Sequence, residues 1–505
     1  MKKIFRFFTS YKFVLGLMFI LNMAILLLIA LYLNLVYYGI VQLVAVVTAL
    51  FVMGFNNDEQ VYKAMWLMVI LILPLFGTVL YLQAKGIYFS NRQRRKWAEI
   101  DTKTQKELNG TFETAKMPEG DRNKNTAGYL LNVDGSPVYG NAVIKYYSEG
   151  TNFINDLIDT IKNAEKFILL EYFIIKPGKI WEDVLEALKE RAANDVKVKI
   201  IYDDFGCADK FKKGYFKKLA WFHIEAVPFN KLRITSNQFV NYRDHRKIAV
   251  IDGKVAYTGG INLADEYCNI KSPYGIWQDC GIQLMGEAVW SMTVAFFRNF
   301  ERACGKSVNL SEYKHQFKNT KRGSGFVQPF CSGPIGNECV ARGAMLKLIN
   351  DAKKYLYITT PYFIVDETVL GALKMAAESG VDVRLIVPGI PDRKIISYLS
   401  FSYFGELLRS GVKIFEYTEG FVHGKMVVSD DEISCIGTIN FDFRSFFLHF
   451  ENSVMIYSHP AIFEMKNNFE RIQSESWQVT PRRLRERKWF GRFMGRILRL
   501  FAPMM

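Results

Sequence analysis

Residues 244–262 read DHRKIAVIDGKVAYTGGIN, and residues 422–440 read VHGKMVVSDDEISCIGTIN. Both contain the pattern His-x-Lys-x-x-x-x-Asp, formed by His245, Lys247 and Asp252 in the first stretch and by His423, Lys425 and Asp430 in the second. The alternation of residues after each histidine predicts a β-strand followed by a hairpin, with His and Lys on one face. Since the chain has only six histidines, two copies that share a Gly-rich tail ending in Asn indicate one site built from two related halves.

A longer repeat surrounds the motifs and predicts the architecture of both halves. The run AEKFILLEYFII (164–175) is echoed by AKKYLYITTPYFIV (352–365), and a second apolar run follows each of them. Between these runs, apolar residues recur at helical spacing, as Val184, Leu185 and Leu188 in the first half and as Val369, Leu370 and Leu373 in the second. The order strand, helix, strand predicts an α/β fold of two related lobes with pseudo-twofold symmetry and the site at their seam.

The paired motifs suit displacement at a phosphodiester. One imidazole would attack phosphorus and form a covalent phosphohistidine, while the other would protonate the leaving alkoxide. The two motif lysines, with Asn262 and Asn440 in the turns, would surround the phosphate and stabilise charge on its oxygens, so no metal is required. Arg444 and Ser445 follow the second Asn and are candidates to contact the substrate phosphate, although a structural ion pair explains Arg444 equally well.

Each half also offers a carboxylate at an equivalent position downstream of its motif. Asp279 begins DCGIQL and Glu451 begins ENSVMI, so each stands at the start of an apolar strand. A nucleophilic imidazole needs an acceptor on its second ring nitrogen, and we predict that these two residues orient the histidines. The alternative is that both are surface carboxylates at strand entrances. As the third members of the candidate catalytic motifs, Asp252 and Asp430 are expected to brace the hairpin turns.

The motifs resemble those of the phospholipase D superfamily, and the sequence around them is similar to that of the bacterial cardiolipin synthases. The similar stretches are LLEYFII (169–175), VKIIYDDFG (198–206), NYRDHRKIAVIDG (241–253), TGGINLADEY (258–267) and GTINFDFRSFFLHFEN (437–452). The resemblance covers roughly residues 128–480, and a hydrophobic leader also fits. One departure is His449, which stands where Asn is expected.

The resemblance implies a phosphatidyltransferase that works reversibly on two molecules of phosphatidylglycerol. It would release glycerol and form cardiolipin through a phosphohistidine intermediate. A phospholipase D that hydrolyses phospholipids to phosphatidic acid would use the same residues, with water as the second acceptor. A nuclease of the superfamily, which would use the net charge of +15, and a non-enzymatic membrane scaffold are the other hypotheses. The choice of nucleophilic histidine, the balance of transfer and hydrolysis, the acyl-chain preference and the oligomeric state stay open.

No cofactor and no metal are expected. The tripeptide GKS at 305–307 is similar to the end of a phosphate-binding loop, but Phe300 stands where the first Gly of that loop is required. This departure argues against a role for ATP. The chain also lacks the Cys and His spacing typical of metal sites. The expected partners are phosphatidylglycerol, other anionic phospholipids and the membrane, and no nucleic acid.

Composition divides the chain into five segments. They are a transmembrane region of two to three helices (1–90), a linker (91–127), a first phospholipase-D-like lobe (128–330), a second such lobe (331–480) and a basic amphipathic tail (481–505). The leader contains three apolar runs, 13–33, 35–55 and 64–82, each near the roughly 20 residues that span a bilayer. These runs predict a multi-pass protein of a bacterial cell membrane.

The orientation of the leader is open because basic clusters flank both its first and its third apolar run. Three spans would place these clusters on opposite sides of the membrane, whereas two spans and a re-entrant first run would reconcile them. The seven cysteines are odd in number and show no CxxC pairing, which favours reduced thiols. We therefore expect the catalytic lobes on the cytoplasmic face.

The tail combines basic and apolar residues. Arginines and one lysine dominate residues 482–499, and the apolar residues that recur at helical spacing are Phe490, Phe493, Met494, Ile497, Leu498 and Phe501. This pattern predicts an amphipathic helix that lies on an anionic bilayer, with nucleic-acid binding as the alternative for the charge run alone. Gly491 and Gly495 weaken helicity and predict that the helix forms only on contact.

Overall fold

The computed structural model describes most of the chain. The described residues are 20, 24, 28, 35–55, 60–85, 91–109, 115, 117, 121–207, 210–231, 241–315, 317, 323–335, 339–487 and 489–504. The chain forms two compact units, of which the first contains residues 1–93, 232–241 and 504 and the second contains residues 94–231, 242–503 and 505.

Helices and strands alternate through the second unit, whereas the first is helical in its described part. The α-helices are α1 (Leu35–Phe55), α2 (Gln60–Ile72), α3 (Pro74–Lys85), α4 (Asn91–Asn109), α5 (Lys124–Asp134), α6 (Gly150–Lys162), α7 (Lys179–Ala193), α8 (Tyr215–Lys218), α9 (Val289–Cys304), α10 (Val340–Asp351), α11 (Glu367–Glu378), α12 (Lys394–Arg409), α13 (Ala461–Ser474), α14 (Pro481–Glu486) and α15 (Trp489–Arg499). The strands are β1 (Tyr139–Gly140), β2 (Val143–Tyr147), β3 (Phe167–Tyr172), β4 (Lys197–Asp203), β5 (Ile224–Phe229), β6 (Lys247–Ile251), β7 (Val255–Gly259), β8 (Ile276–Gln278), β9 (Gly281–Met285), β10 (Phe326–Ser332), β11 (Tyr355–Thr359), β12 (Phe363–Ile364), β13 (Asp382–Pro388), β14 (Lys413–Tyr417), β15 (Gly420–Val422), β16 (Met426–Ser429), β17 (Ile433–Gly437), β18 (Phe441–Asp442), β19 (Glu451–Tyr457) and β20 (Ser476–Gln478).

The first unit contains the apolar helices α1, α2 and α3, which pack against one another. The predicted run 64–82 is divided between α2 and α3, because Pro74 lacks a backbone N–H and begins the second of them. The predicted run 13–33 lies outside the described residues except at positions 20, 24 and 28. In the described part of the chain, no helix combines the length and the apolar composition needed to cross a membrane. The multi-pass leader therefore stays a prediction.

Two mixed sheets form the centre of the second unit. The strand order is β2-β9-β7-β6-β3-β4-β5 in the first sheet and β1-β10-β19-β17-β16-β11-β13-β14-β20 in the second. Apart from the edge strands β1 and β20, the two orders correspond strand for strand. In each sheet three parallel strands, β3-β4-β5 or β11-β13-β14, continue into antiparallel strands that contain the motif hairpin. The predicted duplication of an α/β lobe is confirmed.

The central strands are mostly apolar because helices cover their faces. Every residue of β3 and of β11 is buried. In the first lobe, Phe153 and Leu157 of α6 and Leu188 of α7 form one core with Leu170 of β3. The helix α9 contacts strands of both sheets and is buried around most of its circumference. Burial on both faces explains why these strands appear in the sequence as continuous apolar runs.

The predicted linker contains a packed helix, α4. Its stabilising contacts are largely polar, since Arg302 of α9 pairs with Asp101, and Lys103 lies 2.7 Å from a carboxylate oxygen of Glu301. Its apolar anchor is Trp97, whose ring lies 6.0 Å from that of Phe450. Ile100 and Leu108 of the same helix are also buried, but charged and polar residues occupy most of its other positions, and this is why its composition resembled that of a linker.

The predicted boundary at residue 330 falls inside β10, which belongs entirely to the second sheet. Elements that precede the first sheet in the chain also join the second lobe, since β1 pairs with β10 and α5 contacts α10. The amide of Gln328 fixes this arrangement by donating to the carbonyl oxygens of Ala127 and Ser136 at 3.0 and 2.8 Å. The pairing joins residues almost 200 positions apart, and local composition contains no signal for it.

Candidate active site

The two motif histidines lie where the two lobes meet. The backbone N–H of His245 donates to the carbonyl oxygen of Phe450 at 2.9 Å, beside a bridge between Asp244 and Phe450. The backbone N–H of His423 donates to the carbonyl oxygen of Gln278 at 2.7 Å, where β15 pairs in parallel with β8. Each histidine is therefore held by backbone hydrogen bonds to the opposite lobe.

The two downstream carboxylates contact the histidines, but across the seam. Nδ1 of His245 lies 3.0 Å from both carboxylate oxygens of Glu451, and Nδ1 of His423 lies 2.6 Å from Oδ2 of Asp279. Each half thus supplies the carboxylate for the histidine of the other half. A proton on Nδ1 that is donated to the carboxylate leaves Nε2 as the ring nitrogen available for chemistry.

Hydrogen bonds keep both carboxylates ionised inside the protein. The hydroxyls of Thr438 and Ser445 donate to Glu451 at 2.5 and 2.7 Å, and the backbone N–H of Cys280 donates to Asp279 at 2.9 Å. Burial works against the charge of Glu451, but the neighbouring imidazoles of His245 and His449 hold its pKa below the usual value. The pKa of Asp279 is lowered in the same way by His423 despite its burial.

Both imidazoles are neutral in the protein without a bound anion. Burial lowers the pKa of His245 to about 3 and that of His423 to about 4, more than the adjacent carboxylates raise them. Aromatic rings enclose both histidines, with Phe173 at 5.1 Å from His245 and Trp277 at 5.2 Å from His423 between ring centres. A neutral imidazole is the form that a nucleophile requires.

The motif lysines are buried beside the histidines and influence each other. Nζ of Lys247 donates to the carbonyl oxygen of His245 at 2.7 Å, and Nζ of Lys425 donates to that of His423 at 2.5 Å. Burial, and for Lys247 also the charge of Lys425, lowers the lysine pKa values to about 7 and about 8, respectively. The protonated form of each lysine is therefore less stable than it is in water. An anion bound between the two lysines would stabilise both protonated forms.

The motif aspartates lie outside this charged cluster and brace the hairpins. Asp252 accepts the backbone N–H groups of residues 165, 166 and 167 at 2.7–2.9 Å. Asp430 accepts those of residues 353, 354 and 355 at 2.8 Å each. Both have positive φ, +55° and +57°, a conformation that Asp tolerates better than most residues. Their contacts tie each motif turn to the start of the central strand, and neither Asp contacts a motif histidine in the described structure.

The two turn asparagines also form contacts within the protein. Oδ1 of Asn262 accepts the N–H of Ile174 at 3.0 Å, and its amide donates to the hydroxyl of Tyr267 at 2.6 Å. The amide of Asn440 donates to Asp442 at 3.1 Å, and its Oδ1 is buried without a hydrogen-bond partner among the described residues. These contacts position the turns, and a phosphate contact of either side chain stays a prediction.

Arg444 and Ser445 differ in how they relate to the site. The hydroxyl of Ser445 donates to Glu451, and its backbone N–H donates to Asp442 at 2.8 Å, so Ser445 supports the carboxylate of the His245 pair. Arg444 is half-buried, and burial lowers its pKa even though Asp442 is near. Its carbonyl oxygen accepts the N–H of His449 at 2.7 Å.

His449 is a member of the site that the sequence motifs missed. Its ring centre lies 5.5 Å from that of His245, and its Nδ1 lies 3.7 Å from Glu451. These three residues each place a ligand atom within 4.8 Å of the others, which is the donor chemistry of a metal site. Both oxygens of Glu451 already accept hydrogen bonds from other groups, whereas Nδ1 of His449 is buried without a hydrogen-bond partner among the described residues. In the sequence, this role was indicated by the presence of His at position 449, where the family resemblance predicts Asn.

Two repeated lobes with a His–Lys–carboxylate cluster at their seam define a phospholipase-D-like protein. A family model described as "Cardiolipin synthase, PLD-like domain" matches residues 157–272 and 345–473, one stretch in each lobe. A second, described as "Phospholipase_D-nuclease N-terminal", matches residues 40–83. The fold is similar to that of phosphatidylserine synthase from Haemophilus influenzae, with a TM-score of 0.56 and 17% identity over 76% of this chain and 98% of the other.

Relatives that match most of this chain define its family within the phospholipase-D-like proteins. A cardiolipin synthase of Halalkalibacterium halodurans is 32% identical over 455 residues, which cover 89% of this chain and 90% of the relative. An uncharacterized protein of Streptococcus mutans is 36% identical over 446 residues, covering 87% of this chain and 96% of the relative. The chain belongs to the bacterial cardiolipin synthase family.

Proposed function

We propose that the protein transfers the phosphatidyl group of one phosphatidylglycerol to a second, forming cardiolipin and releasing glycerol. The observation that supports this most is the pair of buried imidazoles, each bonded through Nδ1 to a carboxylate of the other lobe. Two histidines that are each paired with a carboxylate of the other lobe suit a reaction with two matching halves. The first half breaks the P–O bond to glycerol and forms a P–N bond to histidine, and the second breaks that P–N bond and forms a P–O bond to the incoming lipid.

The proposed chemistry balances without a cofactor. Nε2 of one histidine attacks phosphorus, and the bond to the glycerol oxygen breaks as the other histidine delivers a proton to that oxygen. This second histidine then removes a proton from a hydroxyl of the incoming phosphatidylglycerol. The resulting oxygen attacks phosphorus and displaces the first histidine, which returns both imidazoles to their starting forms. The two histidines differ in one contact, since Nζ of Lys425 lies 2.9 and 3.0 Å from the ring nitrogens of His423, and either His245 or His423 can take the first role.

The charge at the seam supports the proposal. Without a bound anion, burial keeps the imidazoles neutral and lowers the pKa of Lys247 to about 7. A phosphodiester carries one negative charge, which favours the protonated forms of both lysines and of the histidine that acts as acid. Substrate binding thereby favours protonation of the acid histidine, which can then deliver its proton to the leaving glycerol oxygen. The carboxylates of Glu451 and Asp279 stabilise the imidazolium that forms.

The surroundings of the histidines favour transfer over hydrolysis. Phe173, Tyr267 and Trp277 enclose the imidazoles at centroid distances of 5.1, 5.3 and 5.2 Å. An aromatic enclosure limits the access of water to a phosphohistidine, while a lipid hydroxyl can be brought to it by binding. The competing function is hydrolysis to phosphatidic acid.

Association with a membrane is part of this proposal, because the substrates are lipids. The apolar helices α1 to α3 and the match of residues 40–83 to an N-terminal family model support it. The seven cysteines are free, which agrees with a reducing compartment and with lobes on the cytoplasmic face. A multi-pass leader in a bacterial cell membrane is the form of attachment that we propose.

The lipid products test the proposal directly. The purified chain in detergent is incubated with phosphatidylglycerol labelled in both its glycerol headgroup and its acyl chains, and the lipids and free glycerol are separated. Cardiolipin and glycerol in equal amounts are expected. Phosphatidic acid as the main lipid product would identify a hydrolase instead. Added glycerol should regenerate phosphatidylglycerol from cardiolipin, because the reaction exchanges one phosphodiester for another.

A further inference from the structure

The C-terminal helix α15 packs on α12 through its glycines. A Cβ atom at Gly495 would lie 2.3 Å from the carbonyl oxygen of Tyr398, and one at Gly491 would lie 3.0 Å from the Tyr398 ring. Small residues let two helix backbones approach closely. The two glycines that were predicted to weaken the helix therefore form its contact with the second lobe.

Ion pairs fix this arrangement at both ends. Arg499 lies 2.5 Å from Glu406 of α12 and 3.0 Å from Glu367 of α11. Before the helix, Arg487 pairs with Glu416 and stacks 3.4 Å from the centre of the Phe401 ring. The helix is held by its glycines and two arginines, so its aromatic face is not needed for packing.

A groove of about 420 Å³ lies between α12 and the C-terminal segment. Its lining includes an apolar part, formed by Tyr398, Phe401 and Leu484, and five arginines against one glutamate, Glu406. Two of the arginines are paired as described. The other three are exposed and form no ion pair with a described carboxylate: Arg409, Arg492 and Arg496. None of the lining residues belongs to the catalytic seam.

Exposed apolar side chains of the same C-terminal segment accompany the groove. Trp489 is 69% exposed, and Phe490, Phe493 and Leu500 are each more than half exposed. Aromatic side chains beside unpaired arginines are typical of surfaces that lie at the boundary between lipid headgroups and acyl chains. A lipid from the bilayer could enter the groove from this surface without crossing water.

We propose that this groove binds one anionic phospholipid from the bilayer. The phosphate would contact the three unpaired arginines, and part of an acyl chain would lie against the apolar lining. Guanidinium groups bind phosphate oxygens with paired hydrogen bonds, and the volume lies within the range of small-ligand sites. The inference rests on the proposed membrane association and adds a lipid site separate from the one where chemistry occurs.

Native mass spectrometry of the full chain in neutral detergent tests the site, with dioctanoyl phosphatidic acid as probe and dioctanoyl phosphatidylcholine as the zwitterionic comparison. Two variants alter the groove differently. R492Q/R496Q removes two unpaired charges, and Gly405→Leu fills the groove without changing charge, since a Cβ at Gly405 meets only ordinary contacts at 3.6 Å or more. The matched control, R482Q/R485Q, removes two exposed charges outside the groove.

The wild-type chain and the control are expected to bind two molecules of phosphatidic acid, one at the seam and one in the groove. Both groove variants should lose the second molecule, with an affinity loss of about tenfold or more at that site. Equal loss in the control, or equal binding of phosphatidylcholine, would overturn the inference. Cardiolipin formation is measured on the same samples. If the wild type forms no cardiolipin while the groove still binds lipid, the proposed enzymatic function is wrong and the proposed lipid site stands.

Discussion

At the scale of single residues, the reacting groups are made usable by burial and by one partner each. The imidazole of His245 is buried, and Glu451 accepts a hydrogen bond from its Nδ1 at 3.0 Å. Burial keeps the ring neutral, and the carboxylate stabilises the cation that forms later in the reaction. The same division of tasks occurs at His423 with Asp279.

Replacing either motif histidine should abolish turnover. His245→Ala and His423→Ala each remove either the nucleophile or the general acid. Among the described residues, no third imidazole at the seam is hydrogen-bonded to a carboxylate, so no side chain can replace the lost group. Quenched reactions with acyl-labelled phosphatidylglycerol should show covalent lipid on only one of the two variants. His459→Ala, a histidine remote from the motifs in sequence, is the control. Near-normal turnover in either motif variant would contradict the two-histidine mechanism.

The lysines predict a fall in activity at alkaline pH. Lys247 and Lys425, with pKa values of about 7 and about 8, stabilise phosphate oxygens only when protonated. The ratio kcat/KM should therefore decline as the pH rises through 7 to 8, and the decline in kcat should lie higher because bound phosphate favours the protonated lysines.

Two substitutions separate charge from geometry at Lys425. Lys425→Met should lower kcat on the order of 10²-fold, as the loss of one group that stabilises an oxyanion does. Lys425→Arg keeps the charge at all accessible pH values, so the step near pH 8 should disappear from its alkaline limb while the step that Lys247 contributes near pH 7 stays, even where its rate is reduced. An unchanged pH profile in the Arg variant would assign the limb to another group.

At the scale of elements, the hairpins and helices hold these residues through contacts that have no chemical role. The turn of each motif is tied by one Asp to three N–H groups at the start of the central strand. The C-terminal helix is tied to α12 by Gly491 and Gly495. Changes at these positions should alter stability or docking more than chemistry.

Asp430→Asn should destabilise the second lobe while kcat per folded molecule changes little. Asn tolerates the positive φ but is a weaker acceptor for the three N–H groups, and we expect a loss of about 2 kcal/mol in the free energy of unfolding. Asp195→Asn is the matched control, because Asp195 also has positive φ, +63°, and is exposed.

The pH dependence of this effect has a defined sign. Burial raises the pKa of Asp430, but its backbone donors and Arg122 lower it further, so the folded pKa lies below the unfolded one. The stabilisation is therefore present above about pH 4 and is lost as the pH falls through the folded pKa. Thermal unfolding at a series of pH values should show the difference between the wild type and Asp430→Asn narrowing below about pH 4. A difference independent of pH would exclude the carboxylate as its source.

Gly495→Leu should detach the C-terminal helix from the lobe. The new Cβ would lie 2.3 Å from a backbone oxygen of α12, which cannot move without disturbing that helix. Trypsin should then cleave within residues 482–499 faster than in the wild type, and activity on anionic vesicles should fall more than activity in detergent. Gly371→Leu in α11 is the control, since no atom lies within 4 Å of a Cβ at that position. Equal protease resistance of the two variants would contradict close glycine packing.

At the scale of the whole molecule, the site exists only when both lobes are present and correctly joined. The carboxylate that bonds His423 belongs to the first lobe, and the one that bonds His245 belongs to the second. The helix α9, which contacts both sheets, and the pairing of β15 with β8 maintain this arrangement. A disturbance in one lobe is therefore expected to affect the histidine of the other.

Asp279→Asn and Glu451→Gln should test whether each carboxylate serves the histidine of the opposite lobe. Each should lower kcat by about 10³-fold or more, by analogy with the loss of the histidine-orienting carboxylate in a catalytic triad, with little change in melting temperature. In spectra of the histidine ring resonances, Asp279→Asn should shift the signal of His423, and Glu451→Gln that of His245. A shift of the histidine in the same lobe as the substituted carboxylate would contradict the crossed arrangement.

The repeat, the α/β lobes and the identity of the motif residues could all be predicted from the sequence alone. These features follow from short-range patterns, since alternation and helical spacing are local consequences of burial. Which carboxylate serves which histidine could be read only from the folded chain, because the bonded pairs are 206 and 144 residues apart and form when the lobes associate. The same holds for His449 and for the glycines of α15. Their roles depend on the atoms that pack against them, and those atoms come from elements distant in the chain.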